Sequence, residues 1–162
     1  MKRPLIIGVM GGGQAEPQDL ENAFRLGGLI AENGWYLLNG GRPAGIMEAS
    51  ARGAAEKKGL TIGILPGDNA GQASVHIAIP IVTGLGNARN CINVLSSDVV
   101  VACPGGAGTL SEIALALKNN KPVITLGFRL DGLNGIAIRT NRLFAAQTPE
   151  EAIAIVKGLF PN

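Results

Sequence analysis

Three glycine-rich segments are the clearest candidates for a chemical role in this sequence. Each follows a short apolar run: residues 11–13 (GGG), 40–45 (GGRPAG) and 104–108 (PGGAG). A glycine lets the backbone approach a ligand closely, and a loop that leads into a helix offers free N–H groups and a positive dipole end to an anion. One such loop can be an ordinary turn. Three of them, in a chain with 24 glycines, about twice the usual share, predict a site for a small phosphate-bearing ligand.

Two polar side chains follow the third loop. Thr109 and Glu112 have the spacing of a capping box, in which the hydroxyl and the carboxylate bond to backbone N–H groups at the start of a helix. That role explains both residues without a ligand. The carboxylate would also lie at the mouth of the loop, where it can accept hydrogen bonds from a ligand, so both interpretations stay open.

Arg89 and Arg42 are the candidate anion-binding side chains, because a guanidinium forms bidentate contacts with phosphate-like oxygens. The helical pattern around Arg89 places Ala88, Ile92 and Leu95 on the inward face, which predicts that Arg89 lies at an exposed edge of its helix. Arg42 stands within the second glycine loop. Either arginine could instead be a solvated surface residue.

The cysteines and the histidine form no recognisable catalytic or metal-binding pattern. Cys103 ends an apolar run beside the third loop and Cys91 belongs to a helix, so we expect two reduced thiols with packing roles. The single histidine, His76, has no partner nearby in sequence, and a metal site needs several ligands. We therefore expect neither a protein-bound metal nor a disulfide.

Two familiar nucleotide motifs fail on individual residues. Gly11 and Gly13 begin like the G-x-G-x-x-G fingerprint of dinucleotide-binding proteins, but Glu16 occupies the place of the third glycine. The second strand ends in Asn39, where an acidic residue would bind the ribose. The third loop lacks the lysine of a P-loop. The sequence therefore argues against NAD binding and ATP hydrolysis.

The glycine loops belong to an alternating pattern of strands and helices. Apolar runs predict strands at residues 4–10, 35–39, 61–65, 77–82, 99–103 and 122–127. Helical periodicity predicts helices at residues 18–33, 45–58, 87–96 and 109–119, and a last one at 149–157 after a short segment, 135–146. This alternation predicts a single α/β domain over residues 1–162, a Rossmann-like doubly wound open parallel sheet with helices on both faces. Ligands of such sheets bind beyond the carboxyl ends of the strands.

Composition narrows the partners of this domain. The net charge is +2, no run of Lys or Arg occurs and only six residues are aromatic, so we expect no nucleic-acid partner. The sequence has no apolar run of membrane-spanning length and no signal-peptide pattern, so we expect a cytoplasmic protein with no membrane partner. Hydrophobic residues make up 46% of the chain and charged residues 16%, which predicts a homodimer or homotetramer.

The segment 104–112, which reads PGGAGTLSE, resembles the PGGxGTxxE signature of the LOG-like superfamily, formerly called lysine decarboxylase-like. The resemblance extends to residues 40–64, with a glycine loop, an amphipathic helix and a strand, and to the segment TGLGNARN at residues 83–90. Together the matching segments span nearly the whole chain.

One branch of that superfamily consists of cytokinin-activating phosphoribohydrolases, which cleave the N-glycosidic bond of a nucleoside 5′-monophosphate. Their catalytic Arg, from an MHxRK segment, and their Glu, from PGGxGTxxE, correspond to Arg89 and Glu112. Residues 86–90 read GNARN here, without the Met-His before the arginine or the lysine after it. As an alternative function, the resemblance implies this hydrolysis, with Arg89 and Glu112 as the catalytic pair.

A second branch, the molybdenum cofactor carrier and binding proteins, is more similar. It shares TGxGxARN, a helix ending in LSSD, the run PGGAGTLSEIALAL and a Lys-Pro pair at the next strand. The resemblance implies noncatalytic, noncovalent binding of molybdenum cofactor, a pterin with a terminal phosphate and a dithiolene-held molybdenum oxide. It also implies storage, protection from oxidation and delivery to apo-molybdoenzymes. The expected ligand-binding residues are Gly11, Gly12, Gly13, Gly41, Arg42, Gly84, Arg89, Gly105, Gly106, Ala107, Gly108, Thr109 and Glu112.

Overall fold

Seven parallel strands form one sheet in the part of the chain that the structure describes, residues 3–130 and 141–161 of a computed structural model. The strands are β1 (Ile6–Met10), β2 (Tyr36–Asn39), β3 (Thr61–Leu65), β4 (Ile79–Val82), β5 (Val99–Ala102), β6 (Val123–Leu126) and β7 (Leu143–Ala146). Across the sheet they lie in the order β4-β3-β2-β1-β5-β6-β7. Strands β2, β3 and β4 therefore lie in succession on one side of β1, and β5, β6 and β7 lie in succession on its other side.

Within the described residues, five α-helices cover the two faces of this sheet: α1 (Pro17–Glu32), α2 (Gly45–Glu56), α3 (Arg89–Ser96), α4 (Ala107–Lys118) and α5 (Pro149–Leu159). Side chains of α1, α2 and α5 share one buried cluster with Val99 and Val101 of β5. Side chains of α3 and α4 share a second cluster with Val100 and Ala102. Because alternate residues of a strand point to opposite faces, the predicted doubly wound arrangement is confirmed.

The strand order reverses at β1, which pairs with β2 on one side and with β5 on the other. The last residues of β1 and β5, Met10 and Ala102, are partners in the ladder. The three glycine-rich segments follow β1, β2 and β5, so they meet at the same edge of the sheet. This is the switch point at which open α/β sheets bind ligands.

The helices α1 and α2 pack closely against each other. A methyl group on Gly27 of α1 would overlap the Ser50 carbonyl oxygen, and one on Gly53 of α2 would overlap the Phe24 carbonyl oxygen. The two helices therefore touch through their backbones at these glycines.

The six predicted strands are confirmed within a few residues at each end, whereas β7 was not predicted. Its four residues fall in the segment 135–146, of which 135–140 lie outside the described residues. The predicted helix at 87–96 begins as a 3-10 turn, Gly86–Ala88, and becomes α-helical only at Arg89. None of the helices in residues 3–130 and 141–161 is long and apolar enough to cross a membrane.

Candidate functional site

A cavity of about 230 Å³ lies at the carboxyl ends of β1, β2 and β5. Nine of the thirteen residues predicted from the sequence line it: Gly11, Gly12, Gly13, Arg42, Arg89, Gly106, Gly108, Thr109 and Glu112. Residues that the sequence did not single out as ligand contacts complete the wall: Val9, Met10, Gly40, Met47, Asn87 and Asn90. The structure thus brings the three glycine loops together, and that these residues bind a ligand stays a prediction.

Backbone hydrogen bonds tie the three loops into one rigid rim. The Gly12 N–H donates to the Pro104 carbonyl over 3.0 Å, which joins the first loop to the third. The Gly12 carbonyl accepts from the Ile46 N–H, also over 3.0 Å, which joins the first loop to the start of α2. Because the Ile46 N–H at the start of α2 already donates to Gly12, the N-terminus of α4 is the better candidate for binding an anion.

The N-terminus of α4 faces the cavity without a side-chain cap. The N–H groups of Ala107, Gly108 and Thr109 donate to no other described residue, and such groups attract anions. The predicted capping box of Thr109 and Glu112 is therefore wrong. The helix begins two residues earlier than predicted, so Thr109 is its third residue and Gly106 occupies the cap position.

Arg89 is buried, with 8% of its surface exposed, and its Nη1 donates to the Ile64 carbonyl of β3 over 2.6 Å. Its Nε is buried and has no partner among the described residues. The guanidinium lies against Gly40, where a methyl group would overlap Nη1 and the Met47 sulfur. Gly40 is therefore required for the position of Arg89, and the sequence had assigned only its neighbour Gly41 to the site.

The predicted orientation of the helix around Arg89 is wrong. Arg89 and Asn93 point inward, whereas Leu95 is 51% exposed and Ala88 is also exposed. The 3-10 turn before Arg89 changes the helical phase, so counting from Ala88 gave the wrong inward face.

Glu112 lies across the cavity from this arginine and is also buried, with 7% exposure. Its Oε1 accepts a hydrogen bond from Asn93 Nδ2 over 2.7 Å. Burial raises the pKa of the Glu112 carboxyl above its ordinary value, against the opposing effects of the Asn93 hydrogen bond and the Arg89 charge. Glu112 and Arg89 interact electrostatically, yet they are not among the ion pairs within 4.0 Å. Both charges therefore remain open to a ligand.

Arg42 provides a second positive charge at the exposed rim. Its Nη2 lies 3.4 Å from the position that a methyl group on Gly13 would occupy. Burial lowers the pKa of Arg89, the charge of Glu112 opposes this, and the charge of Arg42 adds to it. An anion bound near both guanidinium groups would relieve their repulsion.

Asn39 shapes the second loop from inside the protein. Its Oδ1 accepts from the Gly41 N–H over 2.8 Å, and its Nδ2 donates to the Met47 carbonyl over 2.9 Å and to Ser50 Oγ over 3.1 Å. Gly41 has a φ of 75° and belongs to this frame; it does not line the cavity. A polar residue at the end of a buried strand was the available sequence signal for this role.

Three other predicted residues lie outside the cavity. Gly84 follows β4 with a φ of 63°, and its N–H donates to the Gly67 carbonyl. Gly105 lines a small apolar cavity behind the third loop. Ala107 lines a concavity of about 640 Å³ between α3 and α4, which shares Asn87, Asn90 and Gly108 with the main cavity. The main cavity therefore continues into a wider groove.

Cys103 and His76 do not line the main cavity, whereas Cys91 lines the groove between α3 and α4. Burial raises the pKa of the Cys103 thiol to about 12, with a smaller contribution from Asp19, so Cys103 is a neutral thiol. His76 Nε2 lies 3.5 Å from Glu48 Oε1, a partner that the sequence did not indicate. Within residues 3–130 and 141–161, no three His, Cys, Asp or Glu side chains are grouped as metal ligands would be.

Comparisons with known proteins agree with this fold. The molybdenum cofactor binding protein of Rippkaea orientalis is 55% identical with a TM-score of 0.92, covering 98% of this chain and 99% of that chain. The molybdenum cofactor carrier protein of Chlamydomonas reinhardtii is 46% identical with a TM-score of 0.90, covering 97% and 98%. A cytokinin riboside 5′-monophosphate phosphoribohydrolase of Mycobacterium tuberculosis is 36% identical over 96 residues, 58% of this chain and 51% of that protein.

These similarities confirm the resemblance to the LOG-like superfamily and to its molybdenum cofactor carrier branch. The sequence model of one family matches nearly the full length of the protein, from residue 4 to residue 154. The chain belongs to the SLOG cluster4 family.

Proposed function

We propose that this chain binds molybdenum cofactor noncovalently in the cavity at the ends of β1, β2 and β5. The observation that carries the proposal is the combination, in one cavity, of an uncapped helix N-terminus, two arginines and a carboxylate that is not ion-paired. Two structures of molybdenum cofactor binding and carrier proteins, similar over nearly the whole chain, support it.

The terminal phosphate of the cofactor suits the start of α4. The N–H groups of Ala107, Gly108 and Thr109 supply donors there, and Arg42 of the second loop and Arg89 of α3 supply positive charge. The partnerless Nε of Arg89 is a further donor beside the cavity. These groups bind a phosphate through charge-assisted hydrogen bonds and need no metal ion.

The pterin ring carries N–H donors, and Glu112 is the acceptor available to them. Its Oε1 is bound by Asn93, whereas Oε2 accepts from no described residue. The cavity of about 230 Å³ is smaller than most small-molecule sites, roughly 300–1,000 Å³, but it opens into the groove of about 640 Å³ between α3 and α4. A phosphate therefore fits the inner cavity while the ring system extends outward.

The test is to purify the protein from a host that makes the cofactor and to measure bound molybdenum by mass spectrometry and bound pterin by fluorescence after oxidation. We expect both in near-equal amounts in the parent protein. Arg42→Ala should lose most of the ligand, whereas Lys118→Ala, which removes a charge at the far end of α4, should keep it. A protein that carries neither molybdenum nor pterin would refute the proposal.

A second function is supported by one specific observation: Arg89 and Glu112, the two residues that match the catalytic pair of the phosphoribohydrolases, face the same cavity. In that case the chain would cleave a nucleoside 5′-monophosphate such as AMP into adenine and ribose 5-phosphate. Incubation with AMP and analysis of released adenine decides between the two. If AMP is cleaved and the pterin does not compete for the site, the hydrolase is the correct function.

We further infer that a carrier of this kind stores the cofactor, protects it from oxidation and releases it to apo-molybdoenzymes. The homodimer or homotetramer expected from composition stays a prediction. The exposed apolar residues of the edge strand β4, Ile79, Ile81 and Val82, are consistent with it. Light scattering on the eluted protein measures the oligomer, and activation of a purified apo-molybdoenzyme by the loaded protein measures delivery.

A further inference from the structure

A row of three buried polar residues runs along the inward face of α3. Arg89, Asn93 and Ser97 are spaced four residues apart and are exposed by only 8%, 1% and 1%. Ser97 Oγ donates to the Asn93 carbonyl over 2.7 Å, so Ser97 supports the end of the helix. Asn93 has no such local role, because its side chain reaches α4 and makes a hydrogen bond there to Glu112.

Asn93 destabilises the fold if packing is its only role. Its amide has two donors and an acceptor, yet it donates one hydrogen bond, and its buried Oδ1 has no partner among the described residues. Burying an unsatisfied amide oxygen destabilises a protein relative to an apolar side chain of the same size. Packing therefore does not account for an asparagine at this position.

The reason lies in what Asn93 does to Glu112. Its Nδ2 binds Oε1 over 2.7 Å and so restricts the rotation of the carboxyl group. This is the one hydrogen bond that the Glu112 side chain makes with the described residues. Burial of Glu112 favours the neutral acid, and the bond from Asn93 opposes this. Loss of Asn93 would leave Glu112 free to rotate and easier to protonate.

We propose that Asn93 is a positioning residue: it holds the Glu112 carboxylate so that an acceptor and the Arg89 donor face a ligand at fixed separation. The inference rests on the proposed function, since it assigns a role within that binding site. Asn93 itself does not line the cavity and acts only through Glu112.

The experiment compares Asn93→Leu, which has nearly the same size but no amide, with Ser97→Ala as the matched control on the same buried face. We expect Asn93→Leu to melt lower than the parent at pH 7, because it removes the one hydrogen bond that the buried Glu112 carboxylate makes with the described residues, and to bind molybdenum cofactor about tenfold more weakly. In the Glu112→Ala background the same substitution should change affinity by less than about twofold, because the carboxyl group that Asn93 holds is already absent. Ser97→Ala should lower the melting temperature slightly and leave affinity unchanged.

A titration without ligand separates this inference from the proposed function. The carboxyl carbon of Glu112, followed by NMR, should titrate at higher pH in Asn93→Leu than in the parent and at the parent value in Ser97→Ala. If Asn93→Leu does not fold, Asn93→Ala removes the same hydrogen bond and is measured instead. Parent-like titration and affinity, or an equal affinity loss in both Glu112 backgrounds, would overturn the role of Asn93. A parent that binds no cofactor refutes the proposed function, while the titration still decides the role of Asn93.

Discussion

Replacement of Arg89 by alanine is the most informative single perturbation, because the structure contradicts the expectation that this arginine lies at a surface edge. An exposed guanidinium can be removed with little effect on stability. Arg89 is instead 8% exposed and bonds to the Ile64 carbonyl over 2.6 Å. Its charge also opposes the effect of burial on the pKa of Glu112. We therefore expect Arg89→Ala to lower both ligand affinity and the free energy of unfolding.

The magnitude follows from these contacts. A hydrogen bond to a charged group contributes about 1.5–3 kcal/mol to the free energy of unfolding. For a domain of roughly 150–250 residues, each kcal/mol changes the melting temperature by about 2–4 °C. The two figures together predict a decrease of about 3–12 °C for Arg89→Ala. The loss of charge beside the buried Glu112 acts in the same direction.

Arg42→Ala is the matched control, since Arg42 lines the same cavity but is exposed and makes no hydrogen bond to a described residue. It should weaken ligand binding while the melting temperature stays within about 1 °C of the parent. Arg89→Lys keeps the charge but loses the planar fork, so it should recover stability better than affinity. Calorimetry and cofactor titration measure the two quantities. An Arg89→Ala protein that melts like the parent would show that the bond to Ile64 contributes nothing, and the assigned geometry of Arg89 would then be wrong.

Three further predictions concern Glu112, the α1–α2 contact and the amino-terminal ion pair. Glu112→Gln should raise the melting temperature of the ligand-free protein at pH 7. The pKa of Glu112 is raised in the folded state, so the ionised carboxylate lowers stability at any pH above its ordinary pKa. The same substitution should weaken the binding free energy of the cofactor by about 1–3 kcal/mol, measured by titration. Gly27→Ala should destabilise the protein by more than about 1 kcal/mol, because the added methyl group overlaps Ser50. The methyl group of Gly28→Ala has ordinary contacts at 3.6 Å, so this control should stabilise the protein by up to about 1 kcal/mol. Denaturant unfolding measures both changes. Burial disfavours ionisation of Asp98, but hydrogen bonds from Arg3 and the Ile6 N–H outweigh this effect and hold the pKa of Asp98 below its ordinary value. Asp98→Asn should therefore melt lower than the parent at pH 7. The difference in melting temperature should vanish as the pH falls through that lowered pKa.

The fold could be predicted because its strands appear as continuous apolar runs, and the central ones are buried on both faces. Val99 to Ala102, for example, are all fully buried. The strand β7 was not predicted because its four residues, LFAA, include only one fully buried side chain, Ala146, and lie at the edge of the sheet. An edge strand of this length has no periodicity that distinguishes it from a loop.

The glycine loops of the site could also be predicted, because a parallel sheet brings the ends of neighbouring strands together wherever the side chains point. The start of α4 could not. Residues 106–108 are Gly-Ala-Gly, which have no polar side chain to mark a cap, so the spacing of Thr109 and Glu112 suggested a cap three residues too late. The burial of Arg89 depends on the 3-10 turn before it and on the space above Gly40, and both are tertiary features.

The same polar residues bear on both proposed functions, the carrier and the hydrolase. Arg89 Nε is buried without a partner among the described residues, and burial raises the pKa of the Glu112 carboxyl above its ordinary value. A ligand with an anionic end and N–H donors would pair with Arg89 and Glu112 in its ground state, and that favours tight binding without reaction. A hydrolase needs the same charges to interact more strongly with a transition state than with the bound substrate. The fixed hydrogen bond from Asn93 to Glu112 and the bond from Arg89 to Ile64 hold both charges in place before a ligand arrives, so the geometry supports binding first. Any catalysis would depend on a substrate that develops positive charge between them.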